Sequence, residues 1–438
     1  MDEQYKKKLL TIIYFSVVFY ALHNFITYFI FSSYLSQYFS RFELSMIYTV
    51  SAFVSILISN FFGDILKKFT NYKTLITVLI IQFITTSFLA LSDSLSIFYL
   101  SIFSVMHIIF STLIWVSINI FIEEFSDHKN IGSIRGTVLT LYNVQAIIAP
   151  FIAAQFFEFI GYTGIFILSA ISLLPLMYIN RRFFNHVKEP KYKHINLFTS
   201  FKMVWNNKDI RGVIASSFAL NTFYGAVNIY LILYLTKTLG IPTLLYVGII
   251  TPLSVIPFIL IPYRLGKYSD EIFGEKKAMI FGMLLMSITM VCIYFFKINS
   301  TNIMLWIGIL FIARLGATIA ETENYAYFYK KVDERSAGLI ALFQNMVNIG
   351  FLFISLAGAI FIGLLDMDIS YIFLISGLVG IISVFIIMRI RDTEIKRKLE
   401  IKEIEEKNGQ ATRIINKEEI EKENEAEEEW REIKLSSN

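Results

Sequence analysis

Twelve long apolar stretches, separated by short polar segments, dominate this chain of 438 residues. A helix that crosses a bilayer needs about 20 mostly apolar residues, and each stretch approaches or exceeds that length. Hydrophobic residues make up 55% of the chain and charged residues 17%, a balance that argues against an ordinary water-soluble domain. The sequence therefore predicts an all-α integral membrane protein with twelve transmembrane helices in two six-helix halves. The predicted spans are 9–38, 44–62, 74–91, 96–122, 137–157, 163–184, 213–235, 244–263, 278–296, 303–320, 337–365 and 369–390.

Lys and Arg residues lie almost entirely in one of the two sets of loops. If successive helices alternate in direction, 23 basic residues fall on the side of the N-terminus and three, Arg41, Lys237 and Lys297, on the other. Cytoplasmic loops carry such an excess. We therefore expect a multi-pass protein of the plasma membrane, in contact with the lipid bilayer and with both termini in the cytoplasm.

Two polar segments divide the chain further. The longest internal one lies between the two sets of six spans, which indicates a cytoplasmic linker. Within it, Phe201 and Trp205 belong to a run with helical spacing, typical of a short interfacial or cytosolic helix. The last 48 residues contain 11 Lys/Arg and 15 Asp/Glu, and predict a solvated cytoplasmic tail or a tail that binds a partner. The expected parts are 1–184 (first half), 185–211 (linker), 212–390 (second half) and 391–438 (tail).

A charged loop recurs after the second span of each half. An Asp near a helix end, followed by a turn and a basic pair, can join neighbouring helices through charge-assisted hydrogen bonds. Such a latch would break when the halves move, whereas the alternative is an ordinary Lys-rich loop with a capping Asp. The residues are Asp64, Lys67 and Lys68 in the first copy, and Gly266, Asp270, Gly274, Lys276 and Lys277 in the second.

This repeated loop resembles the signature of the major facilitator superfamily, which has a Gly, an Asp four residues later, another Gly and a basic pair. The second copy has one extra residue between Asp270 and Gly274, and in the first copy Asn60 replaces the first Gly. The resemblance covers residues 9–390. It implies two pseudo-symmetric halves that give alternating access to a substrate site near the middle of the membrane.

Span 5 carries a second resemblance, in the segment AIIAPFIAA. It is similar to the Gly-Pro motif of antiporters in the same superfamily, with Ala149 before Pro150 and with Ala153 and Ala154 in place of Gly. The resemblance implies antiport. Close packing of small residues between helices is the alternative explanation.

Polar side chains inside the spans are candidate substrate groups, because they are costly in a bilayer unless they face a partner or a wet cavity. Arg314, Thr318 and Glu321 share one face of span 10. Arg314 could hold an anionic substrate group or pair with Glu321, and Glu321 could instead pair with a loop Lys. Further candidates are His23 and His107 as proton carriers, and Asn24, Asn119, Asn221, Tyr224, Asn228, Gln344 and Asn345 as hydrogen-bonding groups. Packing is the alternative for each.

Motifs of nucleotide-driven pumps, enzymes and nucleic-acid binders do not occur in the sequence. We expect no catalysis, no cofactor, no metal site and no nucleic-acid partner. The preferred function is a monomeric secondary transporter of a small molecule, with proton-coupled export of an organic or amphipathic compound. The alternatives are import of a sugar-like or anionic metabolite, and a non-transporting membrane sensor or assembly partner.

Overall fold

The computed structural model describes residues 3–126, 131–185, 187, 197–268, 274–296, 300–332 and 337–391. This part of the chain is almost entirely helical, and no strand occurs within it. Eleven of its helices are long and apolar enough to cross a membrane. In chain order the helices are α1 (Glu3–Tyr28), α2 (Phe31–Leu35), α3 (Arg41–Phe69), α4 (Asn71–Leu89), α5 (Ile97–Phe125), α6 (Ile131–Phe183), α7 (Leu197–Asn206), α8 (Lys208–Thr238), α9 (Thr243–Pro262), α10 (Glu275–Phe295), α11 (Ile303–Lys331), α12 (Gly338–Leu364) and α13 (Ser370–Ile387).

Helix α6 contains two of the predicted spans. Its 53 residues would extend roughly 80 Å as one helix, far more than a bilayer needs. Gly161 interrupts it with φ 62° and ψ −152°, in a region that glycine enters readily. The neighbouring residues His23 and Asn24 of α1 contact Ser169 and Tyr142, which lie on opposite sides of Gly161, so the two segments run side by side. With this reversal the predicted twelve-helix fold is confirmed.

Two predicted boundaries were wrong. Span 1 was expected to continue to residue 38, but α1 ends at Tyr28 and the short α2 follows. The turn allows Ser32 to hydrogen-bond the phenol of Tyr48 at 2.8 Å. Span 10 was expected to end at 320, yet α11 continues to Lys331 and includes Glu321, which accepts a hydrogen bond from the phenol of Tyr224.

The linker and tail are described in part. Helix α7 occupies the second part of the predicted linker and packs against α8 and α12. Its Trp205 is 76% exposed and lies under the guanidinium of Arg211. Residues 188–196 and 392–438 lie outside the described residues, so the helical character of the tail and the domain limits stay predictions.

Glycines bring α10 and α11 into backbone contact in the second half. A Cβ on Gly316 would stand 2.5 Å from the Met286 nitrogen and 2.7 Å from the Gly282 oxygen. Small residues allow this close approach, which strengthens helix association in a membrane. The contact fixes the position of α11, the helix that carries Arg314 and Glu321.

We expect Gly316→Val to destabilise the second half, because no side-chain movement removes a clash with backbone atoms. Overpacking costs about 1–3 kcal/mol or more, which corresponds to a melting temperature lower by roughly 5 °C. Thermal unfolding of the purified protein in detergent measures the effect. Gly308→Ala on the same helix is the control, because nothing lies within 4 Å of its added Cβ. Equal melting temperatures for the two variants would contradict the packing argument.

The two halves are joined by a buried contact that we call the seal, formed by Ser45, Thr49, Tyr230, Ser355 and Gly358. Thr49 Oγ1 donates to Ser355 Oγ (3.0 Å), and Tyr230 OH donates to Ser45 Oγ (2.9 Å). The phenol of Tyr230 lies so close to Gly358 that a Cβ there would be 1.7 Å from its oxygen. The seal lies toward the ends of α3 and α12 that are away from the linker, and it closes that side of the bundle.

Candidate functional site

A cavity of about 360 Å³ lies between the two halves. It is on the linker side of the seal: on α12 its lining stops at Phe351, one turn before Ser355 of the seal. The polar and charged residues that line it are Tyr20, Asn24, Thr27, Tyr28, Tyr48, His107, Ser111, Thr112, Trp115, Tyr142, Asn143, Ser217, Asn221, Tyr224, Asn228, Arg314, Glu321, Asn324, Tyr325 and Asn348.

Arg314 presents its guanidinium to the cavity from the middle of α11. The side chain is 4% exposed, and its Nη1 donates to the carbonyl oxygen of Thr251 (3.1 Å) and to Ser254 Oγ. These bonds orient the group, while three further N–H groups of a guanidinium remain for other acceptors. Its carbon lies 5.7 Å from the ring centroid of Phe29, which belongs to the other half. A buried cation held in this way is suited to a carboxylate or phosphate.

Glu321 also lines the cavity, two helical turns from Arg314. The hydroxyl of Tyr224 donates to Glu321 Oε2 at 2.8 Å. A carboxylate accepts several hydrogen bonds, so this one leaves capacity for an amine or another donor. The two charged groups have separate partners, Thr251 and Ser254 for one and Tyr224 for the other. The alternative of an Arg314–Glu321 pair therefore does not describe this conformation.

Aromatic rings form the opposite wall, which belongs to the first half. Trp115 stacks with Tyr20 at 5.5 Å between ring centroids and meets Tyr142 at 4.9 Å. Ser111 Oγ donates to Asn24 Oδ1 (3.1 Å), and Asn24 Nδ2 donates to the Tyr142 hydroxyl (3.2 Å). The wall combines flat apolar surface with a few fixed polar groups, as small-molecule sites commonly do.

Six tyrosines line the cavity, and only one of them, Tyr224, was among the sequence candidates. The other five could not be recognised, since period and composition do not show which aromatic ring faces a cavity and which contacts lipid or packs. Gln82 was also missed. It is a buried amide in α4, inside an apolar span like the asparagines that were among the candidates.

Other predicted residues divide into two groups. Asn221 and Asn228 line the cavity, and Asn228 Nδ2 donates to the Tyr28 hydroxyl at 2.6 Å across the two halves. Four do not line it. Thr318, Asn119 and Asn345 donate to carbonyl oxygens one turn earlier in their own helices, at 2.8, 2.9 and 3.0 Å, and Gln344 is exposed. A transport role for these four stays a prediction.

His107 lines the cavity, whereas His23 lies behind the cavity wall and is fully buried. Their ring centroids are 5.8 Å apart. The sequence proposed each as a separate candidate, and the structure brings the two together.

The first charged loop has a local ion pair. Lys67 Nζ donates to Asp64 Oδ1 at 2.8 Å, within one turn of α3, and Lys68 lies over the ring of Phe69. Asp64 has a further interaction as well. A latch from this loop to a neighbouring helix stays a prediction.

The second charged loop is hydrogen-bonded to the segment that follows α13. Gly274 has φ 75° and precedes α10, and Lys276 Nζ donates to the carbonyl oxygen of Ile390 at 2.9 Å. Gly266 lies in a helical segment that extends to Tyr268, and Asp270 lies outside the described residues. The gating role of this loop also stays a prediction.

A helical membrane bundle of two halves, closed on one side and enclosing a polar cavity between them, is the architecture of a secondary transporter. The chain belongs to the Major Facilitator Superfamily, whose family model matches residues 13–339 and again 253–437. This confirms the family predicted from the charged loops. No curated protein matches the sequence.

Solved structures with the same fold include a crystal structure described as an auto-inhibited POT family peptide transporter. It has a TM-score of 0.67 and 10% identity, and the match covers 88% of this chain and 98% of that chain. Two further structures are POT family transporters in complex with a thioalcohol-conjugated peptide and with 5-aminolevulinic acid. Each has a TM-score of 0.69 and 13% identity, with 87% of this chain and 95% of that chain covered. At these identities the likeness concerns the fold.

Proposed function

We propose that this protein is a proton-coupled secondary transporter of small zwitterionic organic molecules. The observation that carries the proposal is that Arg314 and Glu321 face one cavity from one helix, each with a hydrogen-bond partner that orients it. A carboxylate of the substrate would bind Arg314, and an ammonium group would bind Glu321. The stacked rings around Trp115 would cover apolar parts of the molecule.

The spacing of the two charges sets the size of the substrate. Arg314 and Glu321 are seven positions apart, which corresponds to roughly 10 Å along the helix axis. An extended peptide of three residues spans about 10 Å between its ends. A tripeptide, or another zwitterion of that length, therefore reaches both groups, whereas a single α-amino acid reaches one.

Two of the fold neighbours support this substrate class. They hold a conjugated peptide and 5-aminolevulinic acid. Peptides and amino acids of this kind carry an amine and a carboxylate in one small molecule, which is the combination that Arg314 and Glu321 would recognise.

For the direction of transport, we propose export in exchange for protons from a site in the plasma membrane, with both termini in the cytoplasm. The support is the segment of α6 around Pro150. This segment belongs to the first half and packs closely against α9 of the second half. A Cβ on Gly248 would stand 2.9 Å from the Cβ of Ala154. This is the segment that resembles the antiporter motif. Import through the same cavity is the alternative, and vesicles loaded on either side distinguish the two directions.

Binding to the purified protein tests the substrate class. We expect a tripeptide such as trialanine to raise the melting temperature, because a ligand of the folded state stabilises it by about 2.7 kcal/mol at one hundred times its Kd. The N-acetylated and the C-amidated tripeptides are matched controls, since each lacks one charge. Equal shifts for all three compounds, or none for the free peptide, would contradict the zwitterion site.

A further inference from the structure

Three polar side chains from three different helices meet deep in the first half. The amide nitrogen of Gln82 on α4 lies 3.0 Å from His23 Nε2 on α1 and 3.0 Å from His107 Nδ1 on α5. Gln82 and His23 have no exposed surface, and His107 is 5% exposed. We call these residues the triad. His107 is its member at the cavity wall.

The hydrogen bonds assign a proton to each ring. An amide nitrogen is a donor, so the two imidazole nitrogens that face Gln82 Nε2 are acceptors. His23 then carries its proton on Nδ1, which lies 3.0 Å from the carbonyl oxygen of Ser169. His107 carries its proton on Nε2, which lies 3.3 Å from Thr27 Oγ1. With the Gln82 amide in this orientation, the hydrogen bonds are those of two neutral rings.

One acceptor of the triad has no donor. Gln82 Oε1 is buried and lacks a hydrogen-bond partner in the described part of the chain. Thr85 Oγ1, one turn further along α4, is buried without a partner as well. Buried polar groups are nearly always satisfied, so an orphaned amide oxygen beside two imidazoles indicates a second arrangement in which it is used.

Within the described part of the chain, the side chains that contact the triad carry no charge. Thr86 and Ser169 contribute hydroxyl groups from α4 and α6, at 3.3 Å from His107 Nδ1 and 2.8 Å from His23 Nδ1. Rings of Phe31 and Phe166 pack against His107. The titratable side chains that α1, α3 and α6 contribute to the cavity lining are the phenols of Tyr20, Tyr28, Tyr48 and Tyr142. On α2, the phenol ring of Tyr34 packs against Phe166 and Tyr162. The charged groups of the cavity, Arg314 and Glu321, lie on α11 of the other half.

We propose that the triad is a one-proton binding site, loaded from the cavity through His107, and that it is the coupling site of the proposed transport. Rotation of the Gln82 amide places Oε1 between the rings, where it accepts from His23 Nε2–H and His107 Nδ1–H. His107 Nε2 loses its proton and accepts from the Thr27 hydroxyl, and His23 keeps its proton on Nδ1. His107 therefore exchanges one proton position for another, and His23 gains one proton on Nε2. The two rings hold three protons instead of two, so one proton and one positive charge have been added.

This arrangement separates the proton from the substrate. The triad belongs to the first half, whereas Arg314 and Glu321 belong to the second. Both sites face the cavity, so a movement of one half against the other changes the access of both together. That is what coupling requires, since a ligand shifts a conformational equilibrium by its differential affinity for the two states.

Nuclear magnetic resonance of ring-labelled histidine tests the proposal directly. The chain has five histidines, and replacing His128, His186 and His194 by Gln leaves the two of the triad. We expect both rings to change together in one pH transition that adds one proton in total, starting from the two assigned tautomers. Gln82→Met, which keeps the length and removes the amide, should abolish the shared transition. If that variant does not fold, Thr27→Val, which removes the partner of His107 Nε2, should alter it.

The outcomes separate this inference from the proposed function. Rings that titrate independently, or rings that do not change between about pH 5 and 9, would overturn the triad as a proton site. Substrate exchange between vesicle compartments needs no net proton movement, so we expect His23→Gln, whose side chain lies behind the cavity wall, to retain exchange and to lose accumulation driven by a pH gradient. Absence of exchange in the unmodified protein would contradict the proposed function. Gradient-driven accumulation unchanged in His23→Gln would overturn the coupling role.

Discussion

Replacing Arg314 by Gln is expected to weaken binding of a zwitterionic substrate by roughly 30-fold or more. Truncating one partner of a buried, hydrogen-bonded charge pair costs about 2–5 kcal/mol, and each 1.4 kcal/mol is tenfold in affinity. Titration calorimetry with trialanine and its C-terminal amide separates the contributions. The free acid should lose affinity in the variant, and the amide, which has no charge for Arg314, should lose little.

The controls address folding and charge. Arg181→Gln removes an exposed cation at the end of α6 and should leave binding unchanged. Ser254→Ala removes one of the groups that orient the guanidinium and should have an intermediate effect. Equal losses for the acid and the amide would mean that Arg314 supports the fold and does not contact the substrate carboxylate.

Cross-linking the seal is expected to stop transport completely. Thr49 Oγ1 and Ser355 Oγ are 3.0 Å apart, so cysteines at these positions place their sulfur atoms near disulfide range. Oxidation of Thr49→Cys/Ser355→Cys, in a chain with Cys292→Ser, should lock the halves closed on the side away from the linker. Flux into vesicles should fall to background and return after reduction, because alternating access requires the seal to open.

Binding should survive in the cross-linked protein, since the cavity lies on the other side of the seal. Each single cysteine variant, treated with the same oxidant, is the matched control and should transport normally. Cross-linked protein that transports as fast as reduced protein would show that the seal need not open, and would contradict the two-sided mechanism.

Hydropathy and loop charges predict most of the fold. The length of the apolar stretches identifies the helices, and the repeated charged loops around Asp64 and Asp270 identify the family. Both features can be recognised from local sequence. The break between spans 5 and 6 was also predicted from hydropathy, and the structure places the reversal at Gly161. The end of α1 at Tyr28 and the short α2 after it were not predicted, because a window of hydropathy does not detect a turn inside an apolar stretch.

The candidate site was less predictable than the fold. Arg314 and Glu321 are visible in the sequence because charges are rare in spans. The tyrosines of the cavity and Gln82 are not, because phenols and amides are tolerated in many packed positions. The association of His23 with His107 depends on the crossing of α1 and α5, which no spacing along the chain encodes.

Flux in reconstituted vesicles tests whether the protein moves zwitterions and protons together. Purified protein in lipid vesicles would be given labelled trialanine and an imposed pH gradient, with the internal pH recorded at the same time. We expect the peptide to accumulate against its own gradient and protons to move with a fixed stoichiometry, and we expect a protonophore or Arg314→Gln to abolish both. Binding of zwitterions without any flux in either direction would contradict a transport function, and would instead indicate a membrane sensor.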